Sequence, residues 1–197
     1  MATDYATVAT LREMLNVPAD DTSRDSLLTR ALASAARGID TATGRRFYLD
    51  DTASARVYRL TGRTLCDGDG ERLLVDDIGA PSGLVVETGT AGAWSAVTDY
   101  ETTPDNAHAR GRPVTGLLRP SSWGEGTTRV RVTARWGWPA VPDEIQQATL
   151  LQAARLYRRK DSPEGVTGSA EWGVVRLSRR DPDVWALIEH YIAPGFG

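Results

Sequence analysis

Residue types that do chemistry are sparse in this 197-residue chain. It has two histidines, His108 and His190, and one cysteine, Cys66. His108 sits in the loop-like NAHARG and His190 in a C-terminal helical stretch, and the chain contains neither G-x-S-x-G nor H-E-x-x-H. Two surface histidines without a role is the favoured reading. A single cysteine forms no disulfide within the chain and supports no cysteine-based metal site. Asp67-Gly68-Asp69-Gly70-Glu71 resembles the opening of a calcium loop, yet the sixth and twelfth positions hold Arg72 and Ile78 where an EF-hand needs Gly and Glu. Asp-Gly is also a hairpin signal, so a turn is expected there. The phosphate loop G-x-x-x-x-G-K-[ST] is absent. Asp76 and Asp77 are adjacent, and neighbours in a strand point to opposite faces, so they are expected to end a strand rather than share a site. No catalytic residue, metal or cofactor is expected.

Two constellations point instead to binding. Arg155, Arg158, Arg159 and Lys160, with Arg176, Arg179 and Arg180, form the one basic concentration. They could serve nucleic-acid phosphates or an acidic protein surface, but a solvated helix face is the favoured reading. Trp136 and Trp138 invite ligand stacking, but Gly137, Pro139 and Pro142 stiffen the backbone around them, which favours a packed corner.

Composition bounds the rest. Apolar residues make up 41% and charged residues 25%, ordinary for a globular chain, and the net charge of −3 gives no bulk attraction to nucleic acid or anionic membrane. The start, MATDYATVATLREML, lacks the basic and apolar regions of a signal peptide. No stretch reaches the roughly 18 apolar residues of a membrane span. An aqueous intracellular setting is expected.

The elements that must position these residues follow from periodicity. A short helix begins after Thr7 as N-cap, with Val8, Leu11 and Leu15 on one face. A second helix spans about 23–43 with a stripe of Leu27, Leu28, Ala31, Leu32, Ala35, Ile39 and Ala42, closed by Gly44. Between 56 and 134 the period becomes two: RVYRL, RLLVDDI, GLVVET, AWSAVTDYET, GLLR and TRVRVTARW read as roughly six antiparallel strands. Arg129, Arg131 and Thr133 alternate with Val130, Val132 and Ala134, which gives that last run one wet and one dry face. A third helix is expected from about Asp143 to Lys160, with Pro142 suited to its first turn and Ile145, Thr149, Ala153, Leu156 and Tyr157 inward. Leu151 falls among polar residues, which hints at a contact outside the monomer. A mobile loop is expected over 161–173, then a short strand VVRLS, then a helix capped by Asp181. The expected class is α+β: a small bundle of about four helices with an antiparallel β subdomain inserted between the second and third long helices. The divisions are 1–50 helical, 51–136 β, 137–160 core helix, 161–180 loop and strand, and 181–197 C-terminal helix and tail.

The order of these pieces is itself informative. IDTATGRRF, then VRVTARWGWPAVPDEIQQ, then ARLYRRKDSPEG and VVRLSRRDPDV resemble the head–tail connector (adaptor, or head-completion) proteins of long-tailed bacteriophages. The β insertion is longer than in that family's minimal members. The resemblance implies a structural virion protein at the head–tail junction, assembled in the host cytoplasm. It implies a dodecameric homo-oligomeric ring beneath the portal that extends the DNA channel. Its partners would be the portal protein, a stopper, neck or tail-completion protein, and passing double-stranded genomic DNA read without sequence specificity, with no membrane. Carried onto this chain, portal docking falls to Pro182, Val184, Trp185, Leu187, Ile188, Tyr191, Ile192 and Phe196. Leu151, Arg155, Arg158 and Arg159 would serve subunit contacts or the channel. The alternatives are a stopper or tail-completion protein, and a β-rich carbohydrate- or nucleic-acid-binding module.

Overall fold

The structure, a computed structural model, describes residues 5–90, 92–159, 166–167, 175–176 and 181–193. The chain divides into two units, one formed by Met1–Arg45 with Val141–Ala193, the other comprising Arg46–Ala140 in its described part. The expected boundaries at 50 and 136 thus lie a few residues inside the second unit.

The helical unit is built on two long helices. Helix α1 (Val8–Leu15) starts at Thr7, whose hydroxyl accepts from the backbone of Thr10 while the Thr10 hydroxyl accepts from Thr7 N–H. It ends on Asn16 in the left-handed region. Helix α2 (Asp25–Thr43) ends on Gly44 at φ 68°. Its buried face is Leu28, Ala31, Leu32, Ala35, Ala36, Ile39 and Thr43. The expected stripe was therefore rotated slightly: Leu27 and Ala42 are exposed, and Ala36 and Thr43 replace them. Helix α3 (Asp143–Arg158) starts where expected, with Pro142 as its N-cap; the Pro142 carbonyl accepts from Ile145 and Gln146. Ala31, Ala35, Ala153 and Ala154 share one buried cluster with Leu11, Leu28, Leu32 and Tyr157. Small residues at these positions allow close approach of the α2 and α3 axes. An ion pair between Arg12 and Asp25 ties α1 to the first turn of α2.

The second unit is antiparallel throughout. Eight strands, β1 (Ser54–Arg59), β2 (Thr64–Asp67), β3 (Gly70–Ile78), β4 (Val85–Thr90), β5 (Ala93–Ala96), β6 (Glu101–Thr103), β7 (Val114–Arg119) and β8 (Arg129–Ala134), form two four-stranded sheets ordered β1-β8-β4-β5 and β2-β3-β7-β6. One core lies between them, drawing Tyr58, Val86, Val130 and Val132 from the first sheet and Leu73, Val75, Val114 and Leu117 from the second, with Trp123 and Trp136. Two features raise the strand number above the expected six. Residues 64–67 form a strand joined to β3 by a tight turn, with Asp67 paired to Gly70. AWSAVTDYET also breaks in two: β5 pairs with β4, Val97 N–H still donates to Val86 O, and β6 then joins β7 in the other sheet.

Three segments meet at the end of β3. Leu49 bridges Gly137 and Ile78 bridges Trp136. Asp50 N–H donates to Trp136 O, Gly137 N–H to Asp77 O and Gly79 N–H to Arg135 O. Gly137 adopts φ 107°, and a Cβ there would lie 1.8 Å from the Tyr48 carbonyl oxygen.

Beyond α3, Val166–Thr167 (β9) pairs antiparallel with Val175–Arg176 (β10), so part of the expected loop is strand. Helix α4 (Pro182–Ile188) and a 3-10 turn (Glu189–Tyr191) complete the described chain. The observed class is α+β, with four helices and two main antiparallel sheets among the described residues.

Gly137→Ala is predicted to cost about 2–4 kcal/mol, because it adds strain and a backbone clash together. Gly38→Ala, mid-helix in α2 with nothing within 4 Å of the added methyl, is predicted to stabilise by about 0.5–1 kcal/mol. Urea denaturation of the two variants should therefore give shifts of opposite sign.

Candidate interaction surfaces

The tryptophan corner is structural. Trp136 is fully buried, its indole N–H donates to Ser54 O at 2.8 Å, and the Arg56 guanidinium lies 4.3 Å above its ring. The Trp138 indole N–H donates to Asp77 Oδ2 at 3.0 Å, and its ring packs 5.2 Å from Phe47. Neither offers an open face to a ligand. The adjacent carboxylates diverge as strand geometry requires: Asp76 accepts from Arg56 at 2.6 Å and from the Tyr58 hydroxyl at 3.1 Å, while Asp77 serves Trp138. Burial, then the Asp76 charge, push the Tyr58 phenol pKa up, so Tyr58 remains a neutral donor. His108 has a role the sequence did not reveal. It is half-buried, and its Nε2 lies 3.1 Å from Ile78 O, where it serves the last carbonyl of β3. Among the described residues no group of three or more His, Cys, Asp or Glu side chains is placed to hold a metal ion.

The C-terminal helix is more firmly integrated than an appendage. Asp181 caps α4 by accepting from Asp183 N–H at 3.0 Å and Val184 N–H at 3.3 Å, and its other oxygen accepts from Arg155 at 3.1 Å. Arg155 is thus committed to an ion pair between α3 and α4. Val184 and Ile188 are 8% and 3% exposed and face the unit's own interior. Downstream, Arg45 donates to Tyr191 O at 2.7 Å, the Tyr191 hydroxyl donates to Glu144 at 3.0 Å, and Ala193 N–H donates to Thr43 O at 2.7 Å. Of the residues assigned to portal docking, Pro182 and Ile192 are exposed, while Trp185, Leu187 and Tyr191 are half-buried. Phe196 lies outside the described residues, as do Lys160, Arg179 and Arg180. On α3, Arg158 is exposed, and Leu151 and Arg159 are half-buried.

A third surface is the outer face of the first sheet. Registers place Val57 opposite Arg131, Arg131 opposite Glu87, and Glu87 opposite Ala96. The next row holds Arg59, Arg129, Gly89 and Trp94. Arg131 and Glu87 form a two-pronged ion pair, both contacts 2.6 Å, and the guanidinium lies 4.6 Å over Trp94. That pairing draws the Glu87 carboxyl below its usual range. Val57 and Val85 are 56% and 47% exposed on this face.

No protein-family model matches the chain, and no curated protein matches it in sequence. Solved structures do match. A chain from the neck of an empty GTA particle computed with C6 symmetry superposes with a TM-score of 0.53 at 20% identity, covering 99% of this chain and 93% of that one. A chain from the virion of a native gene transfer agent (GTA) particle gives 0.50 at 22% identity, covering 95% and 89%. The fold is shared along nearly the whole length of both.

Asp181→Ala removes the α4 cap and the partner of Arg155 together and is predicted to cost about 1–3 kcal/mol. Arg155→Ala leaves the cap intact and should cost less. Hydrogen exchange should show faster exchange of the α4 amides in both variants, with α2 unchanged.

Proposed function

We propose that this chain is a structural part of the neck of a phage-like particle, a ring-forming adaptor between head and tail. The observation that carries the reading is the end-to-end fold match to a chain from a GTA neck computed with C6 symmetry. The resemblance of its sequence segments to head–tail connectors supports it independently. In this reading copies of the chain form a dodecameric ring against the portal, a stopper or tail-completion protein binds on the far side, and double-stranded DNA passes through without sequence readout. The role is assembly rather than catalysis.

The geometry narrows the docking region. Val184 and Ile188 are buried within the chain, so the portal contact is proposed to use Ile192, Trp185 and Leu187, together with the tail beyond Ala193. On α3, Arg158 and Arg159 remain for the channel or a neighbouring copy, whereas Arg155 holds α4. A wall carrying a few cations within a net-negative chain lets DNA slide rather than stick.

Ile192→Asp places a charge on an exposed position that no described core contact needs. It is predicted to weaken binding to the portal protein of the same particle by about tenfold or more, with an unchanged melting temperature. Removal of everything from Pro182 onward should abolish binding. Undiminished portal binding by both forms would contradict the docking assignment.

A further inference from the structure

We infer that the outer face of the β1-β8-β4-β5 sheet binds an acidic surface on a second copy of this chain, head to tail. This rests on the ring reading above and adds which face makes the contact.

The face is apolar and basic at once. Val57 and Val85 stand open on either side of β8. Arg131, already neutralised by Glu87 and stacked on Trp94, is held flat and leaves a closed, low-entropy platform between them. Arg59 and Arg129 sit directly opposite each other. Like charges facing across strands destabilise a sheet. The Arg129 side chain donates to the carbonyls of Thr127 and Thr128, and the Arg59 side chain makes no hydrogen bond or ion pair among the described residues. No carboxylate answers them from the neighbouring strand, where Gly89 occupies the place. Among the described residues, neither guanidinium has a carboxylate partner.

Charge bookkeeping identifies the partner. Three arginines and one glutamate give this face +2; the whole chain is −3, so the remainder carries −5. Two such faces meeting symmetrically would set Arg59 and Arg129 against themselves. The same face meeting another part of a second copy is attractive. The contact is consequently heterologous, the type that generates closed rings when its rotation closes. Four strands of this length span a footprint of roughly 300 Å². That is below the roughly 800 Å² per partner of a standard stable interface. One such contact alone is weak, and closure of a ring is needed to hold it.

The test uses the full chain with Val57→Asp and Arg59→Glu, both at exposed positions, with thermal melts confirming the fold. Sedimentation equilibrium at low and high salt reads self-association, and mass photometry reads the number of copies loaded per portal. Wild type is expected to associate less at high salt, and each variant to weaken association by about tenfold or more. Where association occurs only on the portal, each variant is expected to load fewer copies. Variants that associate and load like wild type overturn the assignment of this face while leaving the neck reading intact. Wild type that neither self-associates nor loads a portal overturns both. Loss of binding to a double-stranded DNA probe in Arg59→Glu, with association unchanged, would reassign the face to nucleic acid and overturn the proposal.

Discussion

The β unit is an insertion whose two ends must lie side by side, and one backbone crossing secures this. The chain enters the unit at Arg46 and leaves it at Ala140. Just inside those points Leu49 bridges Gly137, Asp50 N–H donates to Trp136 O, and the Phe47 and Trp138 rings pack 5.2 Å apart. Entry and exit are thus neighbouring strands of one structure. An insertion closed in this way leaves α2 and α3 free to pack along their alanine faces, and its length adds little entropy cost. Only glycine fits position 137, because the Tyr48 carbonyl occupies the space of a side chain. The tryptophans on either side lock the crossing by donating their indole N–H groups to Ser54 O and Asp77.

Arginine supplies most of the polar finish of this unit. Arg56 covers Trp136, Arg63 covers Tyr58, Arg119 lies over Trp123, and Arg131 covers Trp94. A planar guanidinium can stack on a ring and pair with a carboxylate together, as Arg131 does with Glu87. These pairs are partly exposed and contribute little net stability each. Their effect is to hold side chains in fixed positions on the sheet surfaces. A surface prepared in this way loses less side-chain entropy on contact.

Much of the fold was legible wherever periodicity ran long enough. Thr7 as cap, the α2 stripe, Gly44, the Asp-Gly turn and the alternation of β8 all follow from spacing. The strand at 64–67 left no trace, because four residues with Leu65 and Cys66 both exposed have no alternation to detect. The change of sheet at Val97 was hidden for the opposite reason: two strands of different sheets read as one continuous run. Side-chain partnerships were the least accessible. Nothing around His108 announces Ile78, thirty residues earlier. Nothing local to Arg155 shows that it faces Asp181 on another helix rather than solvent or DNA. The basic cluster was visible as composition, and only tertiary packing separates the committed Arg155 from the exposed Arg158.

The proposal is positional: a place in the neck, as a ring of copies seated directly on the portal. Electron cryomicroscopy of the intact particle that carries it, with the chain located in the neck density, measures that position without intermediaries. The account predicts one closed ring of this chain in contact with the portal and surrounding the DNA path. Density for the chain on the capsid shell or at the distal tail, or a single copy outside any ring, would contradict it.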